Sequence, residues 1–321
     1  MQDFLITDLQ LSQQIDAFLL LRSIDQRKDK NGNPYLDLML ADSSGDINGK
    51  MWAGLPDPLP NPGTVVNIRG TVQEYNGRRQ LRVEKLRDVQ PTDDVDASML
   101  TRSAPEKPEA MLQKIRDTVA AFQSEDLRKL VTEMLRIAGK DLMHYPAAQS
   151  MHHAERSGLL HHTTSMLQTA EYMIQAYPQL NGDLLRAGVI LHDLGKINEL
   201  KSDEMGNVSD YTQDGLLIGH LVRGVATLQQ AADRVGVQGE IVTLLQHMIL
   251  SHHGIAEYGS PRMPMFPEAE MLHWIDVVDA RMNEMAAAVD RTPSGAFSET
   301  IRSLDRRIYH PMYESLAGDK P

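Results

Sequence analysis

The spacing of apolar residues changes at Pro108, and that change restricts the chain to folds built from two unlike parts. Before it, apolar residues recur at every second position, the period of a strand with one buried face. Leu36, Leu38 and Leu40 alternate with Asp37 and Met39; Ile47, Gly49 and Met51 alternate with Asn48 and Lys50; Val66, Ile68, Gly70 and Val72 alternate with Asn67, Arg69 and Thr71. After it, Met111, Leu112, Ile115, Val119 and Phe122 recur at the helical period. A period-2 pattern cannot lay its apolar residues along one helix face, so the two regions need separate cores. The polar, punctuated stretches 91–96 and 103–108 lie between them. The expected division is 1–90, a linker at 91–108, and 109–321.

The first region contains five strand-like runs in about 75 residues. They start with Ile15–Ile24 and end with Gln80–Val89, and Asn76-Gly77 reads as a hairpin turn between the last two. Pro56, Pro58, Pro60 and Pro62 make the connection between the third and fourth runs a loop, since proline cannot donate to a ladder. Five short strands with that connection match an all-β barrel of the OB type. The outward-facing set Tyr35, Lys50, Trp52, Arg69, Tyr75, Arg78, Arg79 and Arg82 mixes cations with aromatic rings. Such a surface can stack bases and follow a single-stranded backbone; the plainer reading is a solvated sheet face with one exposed Trp.

The second region reads as all-α. Helices are expected from Ser124, a plausible N-cap, to Gly139, and then over Leu159–Ala176, Gly182–Leu194, Gly215–Val235, Glu240–Ser251, Glu268–Val289 and Phe297–Leu304. Met residues recur at helical core positions in this region and serve there as flexible filler.

Charge and cysteine content narrow the chemistry. The net charge of −12 argues against binding nucleic acid by bulk charge, although it permits local basic patches and metal-mediated phosphate binding. Residues 1–90 hold 11 Lys+Arg against 12 Asp+Glu, and the rest hold 21 against 32. With no cysteine there are no disulfides, thiolate ligands or thiol nucleophiles, which fits a reducing compartment. The N-terminus lacks a basic segment followed by an apolar run, and no apolar run reaches the ~18 residues of a membrane span. A cytoplasmic protein without a membrane partner is expected. Oligomeric state, and whether the barrel serves the metal site of its own chain, leave no mark in the sequence.

All 12 His lie between His144 and His310. His162, His192-Asp193, His220, His252-His253 and Asp276 interrupt helices that otherwise read as core. His192-Asp193 follows the apolar run Val189-Ile190-Leu191 and is followed by Lys196, one turn beyond Asp193. Any one of these is ordinarily a satisfied buried polar group or a cap. Five on successive helical segments fit better around a shared metal, because each unpaired buried charge is costly.

The order His162, His192-Asp193, His220, His252-His253, Asp276 resembles that of the HD-domain metal-dependent phosphohydrolases, and the doubled His252-His253 resembles the variants that hold two metals. Together with the barrel, the segment Tyr145-Pro146-Ala147-Ala148 with His152-His153, and Leu250-Ser251-His252-His253-Gly254 followed by Tyr258-Gly259-Ser260-Pro261, the pattern is similar to the bacterial YhaM-type 3′–5′ exoribonucleases over nearly the whole chain. The resemblance implies an OB-type barrel joined to a C-terminal HD domain (core about 155–290). It also implies divalent metal dependence and release of nucleoside monophosphates from single-stranded RNA or DNA. Two ions are implied, manganese first, with iron or cobalt as alternatives. By resemblance, His162, His192, Asp193 and Asp276 hold one ion. Asp193 bridges to a second held by His220, His252 and His253. Asp279 is the alternative to Asp276, or the group that fixes a ligand. His161 departs from an acidic residue found in related enzymes and is given no role.

Two metals about 3.5–4 Å apart can activate a water and stabilise the leaving oxygen. Asp193 and Lys196 are then the catalytic pair, with Lys196 neutralising transition-state charge; its plain alternative is a surface cation near a helix end. His152 and His153 are candidates for substrate phosphate or the metal edge, with a polar cap near the site entrance as the plain reading, and Arg262 and Arg281 are weaker candidates for substrate phosphate. Two other functions fit parts of the pattern. One is an HD phosphodiesterase acting on a small or cyclic nucleotide, which leaves the barrel without a task. The other is a nucleic-acid-binding factor whose metal is structural.

Overall fold

The computed structural model describes residues 4–313 apart from 76, 91, 94, 96, 149–152, 154 and 204, and omits the side chains of 78, 97, 98, 209 and 302. His152 and Asn76 therefore lie outside the described residues. The chain forms two compact units, 1–103 and 104–321, each with its own apolar core.

The first unit is a closed five-stranded barrel in the order β1-β2-β3-β5-β4, with β1 at Gln14–Lys28, β2 at Pro34–Ala41, β3 at Asp46–Met51, β4 at Val65–Tyr75 and β5 at Arg78–Asp88. β1 is long enough to pair twice. Its first half runs antiparallel to β4 and its second half to β2, with a register shift between Leu21 and Ser23 where it changes partner. The parallel pairing of β3 with β5 closes the barrel, and this strand order is that of an OB-type barrel. The alternating residues point inward as expected: Leu36, Leu38, Leu40, Ile68 and Leu81 are fully buried. Gly77 turns between β4 and β5 at φ +73, the left-handed region that favours glycine. A four-residue helix, α1 (Ala97–Leu100), lies within the stretch expected to be a linker.

The second unit is helical, with α2 at Pro108–Ala120, α3 at Glu125–Ala138, α4 at Gly158–Ala176, α5 at Gly182–Leu191 and α6 at Lys196–Glu199. A small antiparallel hairpin follows, β6 at Leu200–Ser202 and β7 at Val208–Tyr211. Then come α7 at Gln213–Leu217, α8 at Gly219–Val235, α9 at Glu240–Ser251 and α10 at Pro267–Asp290. Local chemistry explains several ends. The Ser124 hydroxyl caps α3 by accepting from the Leu127 amide, and Gly139 ends it at φ +63. α5 is the central element. Leu184, Leu185 and Ala187 through Leu191 are all buried, and it packs against α2, α3, α4, α9 and α10. A helix whose last five residues are all apolar and buried ends in the interior, so whatever follows Leu191 is delivered there.

The structure corrects three expectations. The helix expected over Gly215–Val235 breaks at Ile218, and Gly219 restarts the chain at φ +75. Phe297–Leu304 is not a helix. Isolated bridges join Phe297 to Tyr309 and Ile301 to Arg306, with only a 3-10 turn at Arg302–Leu304. The hairpin interrupts an otherwise helical unit because Asp203 folds back on its own chain, accepting from the Met205 and Asn207 amides at 2.9 Å. Among the described residues no helix is long and apolar enough to cross a membrane.

Candidate metal centre

Six helix ends or faces bring the interior histidines, Asp193, Lys196 and two further aspartates together. α4 carries His162; α5 ends into His192-Asp193; α6 opens with Lys196; α8 opens with His220; α9 ends into His252-His253; α10 carries Asp276 and Asp279 one turn apart. His162, His192 and His252 are almost wholly buried, and Asp193 is 3% exposed. Gly195 is what lets α8 come so close. A Cβ there would sit 2.3 Å from the His220 carbonyl oxygen, so no larger residue fits without displacing His220.

The hydrogen bonds decide which way each imidazole faces. Nδ1 of His192 lies 2.9 Å from the Val189 carbonyl, Nδ1 of His252 2.8 Å from that of Ile249, and Nδ1 of His253 2.7 Å from that of Tyr258. A carbonyl only accepts, so these Nδ1 atoms carry the proton and each Nε2 keeps its lone pair. His220 Nδ1 lies 2.9 Å from Glu199 Oε2, and His162 Nδ1 lies 2.7 Å from Asp279 Oδ2. Outer carboxylates and carbonyls of this kind orient metal-ligating histidines.

The inward atoms face lone pairs rather than donors. Nε2 of His192, His220 and His252 and Oδ1 of Asp193 are buried with no hydrogen-bond partner among the described residues. Asp193 Oδ1 is 3.6 Å from both His220 Nε2 and His252 Nε2. Its Oδ2 is 3.3 Å from His192 Nε2 and 3.8 Å from His162 Nε2. Asp276 Oδ1 is 3.2 Å from His162 Nε2. Three groups each converge closely enough to ligate one ion: His162 with His192 and Asp193, His192 with His252 and Asp276, and His220 with His252 and His253. Orphaned buried acceptors at these spacings fit divalent cations, which satisfy several of them at once.

Protonation follows from the same arrangement. Burial pushes the His252 imidazole down to about 3, so it is neutral and able to ligate near neutral pH. Burial also lowers His253. For Asp193 burial acts upward, but the charge of Lys196 leads the interactions that outweigh it and hold the carboxyl well below the usual range. Lys196 Nζ lies 2.7 Å from Asp193 Oδ2; burial would lower it, and Asp193 holds it raised and charged. Burial opposes a charge on His162, yet hydrogen bonds to Asp276 and Asp279 raise it to about 10. Without an ion, a proton on His162 is what separates those two carboxylates.

Asp279 and Asp276 take different positions. Asp279 accepts from His162 Nδ1, from His153 Nε2 at 2.8 Å and from the Ser165 hydroxyl, so it is turned away from the convergent Nε2 atoms. His153 is buried and bonded to Asp279, which places it against the edge of the metal centre. Arg262 and Arg281 are exposed and make no ion pair among the described residues. Glu199, Glu155, Ser165 and His161 all touch the histidine network and were given no role from sequence. Glu199 is 21 residues from His220 in the chain, and no periodicity links them.

On the barrel, Tyr35 and Trp52 stack with ring centroids 4.4 Å apart, and Trp52 is half exposed. Lys50 lies 5.4 Å from the Tyr35 ring centre and pairs with Asp37 at 2.6 Å. Arg82 is the parallel neighbour of Lys50 across β3 and β5 and is exposed, as is Arg69. Arg79 is corrected in part: its Nη1 donates to the Thr7 and Leu9 carbonyls, so it holds the N-terminal segment as well as facing solvent.

Residues 159–281 match the HD domain family. The chain is 40% identical over 315 residues to the 3′–5′ exoribonuclease YhaM of Geobacillus sp. (strain WCH70), covering 97% of this chain and 96% of that protein. The second OB-fold domain of replication protein A from Methanococcus maripaludis matches 28% of this chain and 98% of its own at 18% identity, with a TM-score of 0.24. A replication protein A heterotrimer bound to single-stranded DNA matches 30% of this chain and 71% of its own at 19% identity, with a TM-score of 0.22.

Proposed function

Because the chain belongs to the YhaM family of 3′–5′ exoribonucleases, we propose that its helical unit hydrolyses the 3′-terminal phosphodiester of single-stranded RNA and releases nucleoside monophosphates. The observation that carries the metal dependence is the set of buried acceptors, Nε2 of His192, His220 and His252 and Oδ1 of Asp193, that face one another with no donor between them. His162, His192 and Asp276 with Asp193 Oδ2 would hold one ion. His220, His252 and His253 with Asp193 Oδ1 would hold the other. Two divalent cations there, manganese in our reading, would supply Lewis acidity toward phosphoryl and water oxygens.

The remaining tasks fall to the chain. Asp193 divides its two oxygens between the ligand groups, and Asp279 and Glu199 hold His162 and His220 by their outer nitrogens. Lys196 stays charged in a buried setting, where it neutralises charge developing on the phosphoryl group. Asp193 also fixes the Lys196 ammonium, which limits its freedom to swing away. The stacked pair Tyr35–Trp52, with Lys50 and Arg82 alongside, suits a base and its phosphate.

The test uses 5′-labelled single-stranded RNA with a free or a blocked 3′ end, in manganese. Stepwise shortening and mononucleotides are expected from the free end only, and His192→Ala should abolish both. RNA left intact by the wild-type protein, or cleavage indifferent to the 3′ block, would overturn the reading. Faster turnover of a cyclic dinucleotide than of the oligonucleotide would do the same.

A further inference from the structure

Behind His162, on the side away from the convergent Nε2 atoms, three more ligand-bearing side chains meet. His153 Nδ1 lies 3.1 Å from His161 Nδ1, His161 Nδ1 lies 2.7 Å from Glu155 Oε1, and His153 Nδ1 lies 3.7 Å from the same oxygen. We propose that His153 Nδ1, His161 Nδ1 and Glu155 Oε1 form a separate divalent-cation site of the zinc type, outside the catalytic centre.

Size is the first argument. Ligand atoms bonded at about 2.1 Å with tetrahedral angles stand about 3.4 Å apart. The three separations here bracket that value, and all three atoms belong to one convergent group. Two imidazoles and one carboxylate are also a donor set that zinc takes, with the fourth position open.

Proton arithmetic is the second. His153 Nε2 lies 2.8 Å from Asp279 Oδ2, a carboxylate oxygen that only accepts, so the ring proton sits on Nε2 and Nδ1 presents a lone pair. That lone pair faces His161 Nδ1, which faces Glu155 Oε1 as well. The Asn283 amide nitrogen also reaches His153 Nδ1, at 3.5 Å. A cation among the three would meet one donor atom from each.

Support from outside the triad and an approach path complete the case. Asp279 would stand behind both His153 and His162, accepting Nε2–H of the first and Nδ1–H of the second. This is the carboxylate–histidine arrangement that orients metal ligands, used here by two sites through one carboxylate. The His153 amide donates to Asn283 Oδ1 at 3.2 Å, anchoring the ligand to α10. His161 is the least buried of the three, its side chain 24% exposed. It lines a surface cavity of about 510 Å³ together with Lys114, Thr118, Thr164, Ser165 and Gln168, through which a hydrated ion can enter. The inference does not depend on the catalytic ions, because none of the three atoms belongs to that set.

Metal content tests it. The full chain is stripped with chelator, dialysed against zinc and counted by elemental analysis. About three equivalents are expected for the wild type. His161→Ala should lose one equivalent. Asp193→Ala, which breaks the catalytic centre, should keep about one. Glu155→Gln, nearly isosteric, gives the same reading as His161→Ala should the alanine variant fail to fold. A wild-type count of two or fewer overturns the proposal and leaves a hydrogen-bonded network that only fixes Asp279. So does an unchanged count in both triad variants.

Discussion

His220 shows how much of this site lies one bond behind the inward-facing atoms. Its Nε2 faces Asp193, and its Nδ1 is held by Glu199, on the short helix that also carries Lys196. Glu199→Gln keeps the shape but exchanges a carboxylate for a neutral amide, so the imidazole loses a charged anchor and some basicity. We expect metal affinity and RNA hydrolysis to fall about 10–100-fold with the fold retained, read by metal titration and initial rates. An unchanged titration would remove Glu199 from the machinery. Glu199, like the Glu155–His161 pair, was invisible to sequence reasoning because sequence spacing reports neighbours along a helix, whereas these contacts join different elements. His192, Asp193 and His252 were legible for the opposite reason: each follows an apolar run whose burial the sequence announces.

At the scale of the element, the barrel's outer face carries two separable contributions. On β2, Asp37 bonds to Lys50 and Asn48 of the neighbouring strand. Burial acts to raise the Asp37 carboxyl, yet the Lys50 and Asn48 hydrogen bonds leave it below its ordinary 3.8. The folded state therefore binds fewer protons than the unfolded state there. The stabilisation is present above about pH 4 and is lost as pH falls through the folded value. Because both groups are partly exposed, Asp37→Asn should destabilise by less than about 1 kcal/mol at pH 7. Urea melts should show the gap to wild type closing in acid; a gap that widens in acid contradicts the assignment. Trp52, stacked on Tyr35 and half exposed, contributes to binding instead. Trp52→Ala should raise KM for single-stranded RNA about 5–150-fold, the equivalent of about 1–3 kcal/mol of stacking, and leave kcat near wild type. A fall in kcat with KM constant would assign the ring to something other than strand binding.

For the molecule as a whole, stability and activity should share a dependence on divalent ions. The helical core ends in buried acceptors that repel one another unless cations or protons separate them. Chelation should therefore abolish hydrolysis and lower the Tm of the helical unit while the barrel, whose core is a separate cluster, melts unchanged. Restoring manganese at about one hundred times its Kd should return about 2.7 kcal/mol for each bound ion. A calorimetric scan of the full chain resolves the two transitions, and a chelator effect on the barrel transition would contradict the argument.

Periodicity alone determined that a strand-built unit precedes a helical one, because the spacing of buried side chains is a local property of each backbone geometry. It also determined that polar residues interrupt the helical core at His162, His192-Asp193, His220, His252-His253 and Asp276. Only the tertiary structure decided which atom of each faces inward. That choice rests on acceptors contributed by the preceding helix turn or by another element: the Val189, Ile249 and Tyr258 carbonyls, Glu199, and Asp279. The same physics separates Asp276, whose Oδ1 faces His162 Nε2, from Asp279, which accepts the proton on the ring's other nitrogen. Two aspartates one helical turn apart are equivalent in sequence and become distinct only once α4 packs against α10.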